Sequence, residues 1–342
     1  MERFVIGAAV TVAVLIAVGG YFGHGVSDGE GFRFEIGDRG GGGGPAQAKG
    51  SGVATNIAAT TYAATELKIR DAVAVVKILP EDRADISIEI ANPGALAMPR
   101  VRMDGGVLVV DGGLDRRIRH CNTRLGKFEV SVNGVGEVDE AEMPVITARV
   151  PRAVDLSVGG ATRTDVGPSA SADLAFTGCG PTTVADVAGA LDLNSAGSGD
   201  VTVGATKSAS VSAAGSGDTI LGTVGEKLEV SVAGSGDVTA ATLTGPLDVS
   251  IAGSGDVVIS GGAVADADIS IAGSGSVDIA SGVGRLEVAI MGSGDVTVRG
   301  PAAAVDASIM GSGDVQVVSV AGGVQKAVMG SGSVHIGPIT ID

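Results

Sequence analysis

Between Leu228 and Thr239 the chain alternates with period two. Leu228, Val230, Val232 and Val238 fall on one face together with Gly234 and Gly236. Glu229, Ser231, Ala233, Ser235, Asp237 and Thr239 fall on the other. A strand with one apolar face has to bury it. The pattern returns with Leu247, Val249, Ile251, Gly253, Gly255 and Val257, so the burial partner is a further copy of the same segment. Gly-Ser-Gly begins at Gly197, Gly215, Gly234, Gly253, Gly273, Gly292, Gly311 and Gly330, in steps of 18, 19, 19, 20, 19, 19 and 19 residues. Gly178-Cys179-Gly180 and Gly160-Ala161-Thr162 extend the series upstream in degenerate form. Self-similarity at such a period marks a stack of coils. The expected fold is therefore all-β: a β-solenoid, parallel β-helix-like, of about ten coils with a ~19-residue period.

The usual step is odd, so strict alternation would reverse the faces at each coil. A turn has to absorb one residue, and Gly225, Gly245 and Gly262 are the expected places. Two roles stay open for the glycines of each copy: close approach across a flattened coil, or a corner with positive φ. Ahead of the repeats, from about Thr65, short apolar runs are punctuated by Gly, Pro, Asn and Asp. Leu67, Ile69, Val73 and Val75 open the series. Ile86, Ile88 and Ile90 follow, then Val107-Leu108-Val109-Val110, Phe128, Val130 and Val132, and Val145 to Val150. These read as strands that cap the first coil. The expected division is 1–22 as signal peptide or anchor, 23–60 as a Gly-rich flexible linker, 61–154 as the N-terminal β cap, and 155–342 as the repeat solenoid.

Composition sharpens this picture. With 57 Gly, no Trp, two Tyr and six Phe, the core has to be Val, Ile, Leu and Ala, which suits many short uniform strands. A net charge of −16 excludes nucleic acid as a partner, because phosphate binding needs a basic face. Arg116-Arg117-Ile118-Arg119 is too short to supply one. Arg3 precedes an apolar run from Val5 to Val18, loosely to Phe22, followed by small residues. That run reads either as a cleaved export signal or as a retained anchor, so membrane contact is expected only through an uncleaved N-terminal segment. Cys121 and Cys179 suit one disulfide in an exported protein, with two unpaired thiols as the alternative.

The most visible polar feature is a column of carboxylates: Asp200, Asp218, Asp237, Asp256, Asp295 and Asp314, interrupted by Ser276 and Ser333. Coils about 4.8 Å apart would hold like charges close enough to repel by about 1 kcal/mol in water. Three readings are open: acceptors for turn N–H groups, with Asp bonding two residues on; a solvated face; or a weak calcium site. One Asp and one Ser per coil supply few of the six to eight oxygens that calcium takes. A general acid and base need distinct environments, which a uniform ladder does not offer. His24, His120 and His335 read as surface residues. The Gly-x-Gly runs lack the Lys and helix of a phosphate loop, so no cofactor is expected. Ala precedes Gly-Ser-Gly in early copies but Met291, Met310 and Met329 do so in the last three, either as an outward apolar stripe or as corner packing.

From about Leu67 onward the chain resembles the head GIN domain family, the head of bacterial auto-transporter adhesins. The resemblance is carried by the opening strands from Leu67 to Leu79 and by Gly105-Gly106-Val107-Leu108-Val109. It continues through Val150-Pro151 into Leu156-Ser157-Val158-Gly159-Gly160, and then through the Gly-Ser-Gly-Asp repeats. It implies an exported, solenoid-like module without established catalytic residues. The expected function is a non-enzymatic structural or adhesion-like module of the periplasm or cell envelope, with an envelope protein or glycan as partner. The rival expectations are a carbohydrate-active β-helix enzyme and a calcium-binding adhesive rod.

Overall fold

The computed structural model describes residues 49–124 and 126–338. The expected signal segment 1–22, and the expected linker as far as residue 48, lie outside the described residues. No helix among the described residues is long and apolar enough to cross a membrane. The described chain falls into two compact units, one of residues up to 210 with 215–225, the other of 211–214 and residues from 226. The fold is all-β, a β-solenoid of about ten turns with a ~19-residue period.

In the first unit the parallel stack begins earlier than the expected boundary at 155. The strand Glu66–Glu81 pairs in parallel with Ala153–Val166, Leu67 beside Leu156. Ala153–Val166 pairs in turn with Ser171–Cys179, and that strand with Val187–Gly197. Leu67, Leu156, Leu174 and Leu193 thereby form one column, each no more than 2% exposed. On its other side Glu66–Glu81 is parallel to Val107–Asp111 and Val145–Pro151. The direction then changes. Ile86–Asn92 runs antiparallel to Val145–Pro151, and Thr55–Tyr62 antiparallel to Ile86–Asn92. Thr55–Tyr62 lies partly within the expected linker and ahead of the expected first strand. Its residues are mostly exposed, so it carries no apolar alternation by which to find it.

A separate antiparallel sheet of Ile118–Arg124, Lys127–Val132 and Gly136–Asp139 lies on the flank of this unit. Phe128, Val130, Val132 and Val138 pack there with Val73, Val75 and Ala161 in a second apolar core.

In the second unit the columns are as regular. Leu247, Ala267, Leu286 and Val305 stack in register, as do Ile251, Ile271, Ile290 and Ile309. A second wall stacks Val257, Val277, Val296 and Val315. The 20-residue step is accommodated locally: Gly245 faces Val264, but Leu247 faces Ala267, so one extra residue bulges out between them. Of the three glycines expected to absorb a residue, Gly245 and Gly262 have positive φ, whereas Gly225 does not and lies within the strand Thr219–Gly234.

Gly253 unites the two roles left open for the repeat glycines. Its φ is +148°, and a Cβ there would overlap the carbonyl oxygen of Gly234 one coil away. Gly255 lies outside the positive-φ set, yet a Cβ there would meet Gly236 in the same way. Gly253→Ala should therefore lower the unfolding free energy by at least about 1–3 kcal/mol from backbone strain alone. Ser254→Ala, at an exposed neighbour, should stay within about 0.5 kcal/mol of the parent. Urea unfolding of the two variants checks the contrast.

Candidate functional site

The Asp column has a definite task. Asp200 Oδ1 accepts from the backbone N–H of Asp218 at 3.0 Å. In the second unit Asp237 Oδ1 accepts from Asp256 N at 2.9 Å, Asp256 Oδ1 from Ser276 N at 2.7 Å, and Asp295 Oδ1 from Asp314 N at 2.7 Å. Asp314 Oδ1 takes both the N–H and the hydroxyl of Ser333, at 2.7 and 2.8 Å. The expectation of Asp as a turn acceptor thus meets a different geometry. The donor lies one coil on, not two residues on. Each carboxylate fastens its coil to the next and spends one oxygen on a backbone donor that would otherwise need water. Asp186 and Asp266 repeat the device at another corner, accepting from Ala205 N and Arg285 N, each at 2.8 Å.

A second acid column escaped the sequence reading. Glu66, Asp155, Asp173 and Asp192 stand in register in the first unit. Asp248, Asp268, Glu287 and Asp306 do so in the second. The signal was available: an acid flanked by apolar residues at the start of most copies, as in Leu247-Asp248-Val249 and Leu286-Glu287-Val288. Interchange of Asp and Glu hid it. Partial burial, reinforced by the carboxylates of Glu66 and Asp173, pushes Asp155 up to about 6. Burial likewise raises Asp173, Asp248 and Asp268; for Asp268 the carboxylates of Asp248 and Glu287 add to it. Cations temper the column in places: Arg285 reaches Glu287 at 3.0 Å, and Lys227 pairs with Glu229.

Cys121 and Cys179 are bonded as a disulfide, with Cα atoms 6.3 Å apart. Phe128 packs against Gly180, where a Cβ would collide with its ring. The degenerate copy Gly178-Cys179-Gly180 is therefore the place where the flanking sheet is docked. His120 lies on that sheet opposite Ser131, and His335 lies in the last described coil beside Gln316. His24 lies outside the described residues. Among the described residues no group of three or more His, Cys, Asp or Glu is arranged to hold a metal ion. Met291, Met310 and Met329 stand in register and are 36%, 45% and 69% exposed, so their column is the outward stripe and not corner packing.

Two outcomes follow from these columns. Asp256→Ala should cost about 1 kcal/mol, the scale of a lost side-chain cap, whereas Asp256→Asn keeps an acceptor and should recover most of it. Thermal melting with calcium or EDTA should superimpose for both and for the parent. A calcium-dependent shift lost in Asp256→Ala would restore the cation reading. For Asp155 the folded pKa lies above the unfolded value of about 3.9. The folded chain then binds the extra proton between about pH 4 and 6, so this site's contribution is most favourable below that window and declines as pH rises through it. Asp155→Asn should remove that decline and melt above the parent at pH 7. Equal pH slopes in the two chains would refute it.

Comparison with known proteins follows the geometry. Residues 220–321 match the family described as putative auto-transporter adhesin, head GIN domain. No curated protein matches the chain. Among solved structures, a putative adhesin from Parabacteroides merdae is 15% identical, with 84% of this chain and 97% of that chain covered and a TM-score of 0.42. A putative adhesin from Parabacteroides distasonis is 17% identical over 84% and 98%, with a TM-score of 0.40. A putative lipid binding protein from the same species is 18% identical over 84% and 97%, with a TM-score of 0.37. The resemblance borne by the Gly-Ser-Gly-Asp coils is a match to the head GIN domain family over residues 220–321.

Proposed function

We propose that this chain is an exported, non-catalytic module of the cell envelope that binds an envelope protein or glycan through the repeated outer faces of its coils. The observation that carries the proposal is the register of the outward residues. In the second unit Asp268, Ser270 and Ala272 lie beside Glu287, Ala289 and Met291, and these beside Asp306, Ser308 and Met310. Such a surface offers similar rows of acidic, small and apolar residues at successive coils, a few ångströms apart. It suits an extended or repetitive partner better than a single small substrate. Within the corner column Asp237, Asp256 and Asp295 make the same backbone contact, so none of them is set apart from the others as an acid or a base. The apolar run from Val5 to Phe22 supports export.

Export and binding are separable in experiment. Fractionation of cells expressing the chain with a C-terminal tag should place it in the periplasm or envelope; recovery in the cytosol alone would end the export reading. The purified chain, immobilised and probed with envelope polysaccharide and with envelope protein extract, should retain one of them without shortening it. Release of reducing ends from the polysaccharide would instead identify an enzyme.

A further inference from the structure

The last described coil breaks the rules of those before it. Its strand Val324–Gly330 pairs with Val305–Gly311 on one side, and Ser333–Ile336 pairs with Asp314–Val317. Among the described residues no strand lies on the outer side of either. Three core columns therefore end in the open. Val305 and Ile309 are 2% exposed, but Val324 and Val328 above them are 39% and 41% exposed. Val317 is fully buried, and Ile336 above it is 41% exposed.

Charge changes at the same coil. Neither acid column has an acid there: Gln325 stands in register with Asp306, and Ser333 with Asp314, as Ser276 follows Asp256 further down. From Ser319 to Ile336 there is no Asp or Glu in a chain of net charge −16. Lys326 takes the register position of Ala307, in the inward column that Ile269 and Val288 occupy below. The edge thus presents apolar, cationic and apolar side chains at alternate positions: Val324, Lys326 and Val328.

We propose that this edge is a binding site for an extended strand of another polypeptide, carrying a carboxylate between two apolar residues at alternate positions. Such a strand would continue the parallel ladder, lay its apolar residues over Val324 and Val328, and pair its carboxylate with Lys326. A wholly apolar strand is rejected, because it would leave the ammonium buried without a partner. A second copy of this chain fits poorly, since edge-to-edge pairing brings two Lys326 side chains into one layer. The site is distinct from the lateral faces and does not depend on export.

The test uses the full chain and two fluorescent peptides with the cores Val-Thr-Glu-Thr-Val and Val-Thr-Lys-Thr-Val. Anisotropy titration of the parent should show saturable binding of the Glu peptide, about tenfold or more tighter than the Lys peptide, the scale of one charge-assisted hydrogen bond. Lys326→Glu, at an exposed position, should reverse the order; its unchanged melting would show that the fold survives. Absence of saturable binding, equal affinity for the two peptides, or an order that Lys326→Glu leaves unchanged would overturn the proposal. So would sedimentation showing a dimer that Val328→Lys dissolves, since the edge would then belong to a second copy.

Discussion

Everything in this molecule follows from stacking in parallel register, where each side chain meets the equivalent one of the next coil at about 4.8 Å. For apolar residues this is favourable without further provision. Ile251 on Ile271 on Ile290 on Ile309 makes a dry column from a chain that has no Trp and few other aromatics. For charged residues the same register is a liability, because a favoured position becomes a row of like charges. The structure answers in two ways. At the corner, Asp237, Asp256 and their equivalents turn the repeat to advantage, since the carboxylate of one coil reaches the N–H of the next. On the sheet, partial burial and neighbouring carboxylates raise the pKa values of Asp155 and Asp268.

Departures from the repeat mark places where a coil has a neighbour other than a coil. Cys replaces Ser at position 179 where the flanking sheet is bonded, and Gly180 leaves space for Phe128. The extra residue between Gly253 and Gly273 stays confined to a bulge between Val264 and Ala267 within the strand Gly262–Gly273, so Asp268, Ile269 and the residues after them return to register. A coil can tolerate a local bulge far more easily than a shift along a strand, which would turn every side chain to the wrong face.

This also explains what the sequence could and could not disclose. Period and alternation recur in every copy, so the solenoid, its core columns and the corner Asp residues were legible from residue 155 onward. The coil contributed by Glu66–Glu81 was not, because its stacking partner Ala153–Val166 lies far along the chain and shares no Gly-Ser-Gly with it. The destination of the Asp carboxylates was misjudged for a related reason. A local rule sends Asp to a donor two residues on, while stacking brings a donor from 19 residues on within reach. The second acid column is chemically uniform but not uniform in letters, and only register shows that Asp268, Glu287 and Asp306 are one feature.

The final coil puts the same constraint in its sharpest form. An interior residue is chosen by equivalents above and below, and the columns keep their chemistry for that reason. At residues 324–336 the identities change together: acid to amide at Gln325, small apolar to Lys at 326, Asp to Ser at 333. The Ser at 333 repeats the exchange already made at Ser276 inside the column. The lysine is not intelligible from what lies below, because Ala307 and Val288 ask for another apolar residue. It answers to the open side, where it forbids indiscriminate pairing of an apolar edge and leaves admission to a strand of opposite charge.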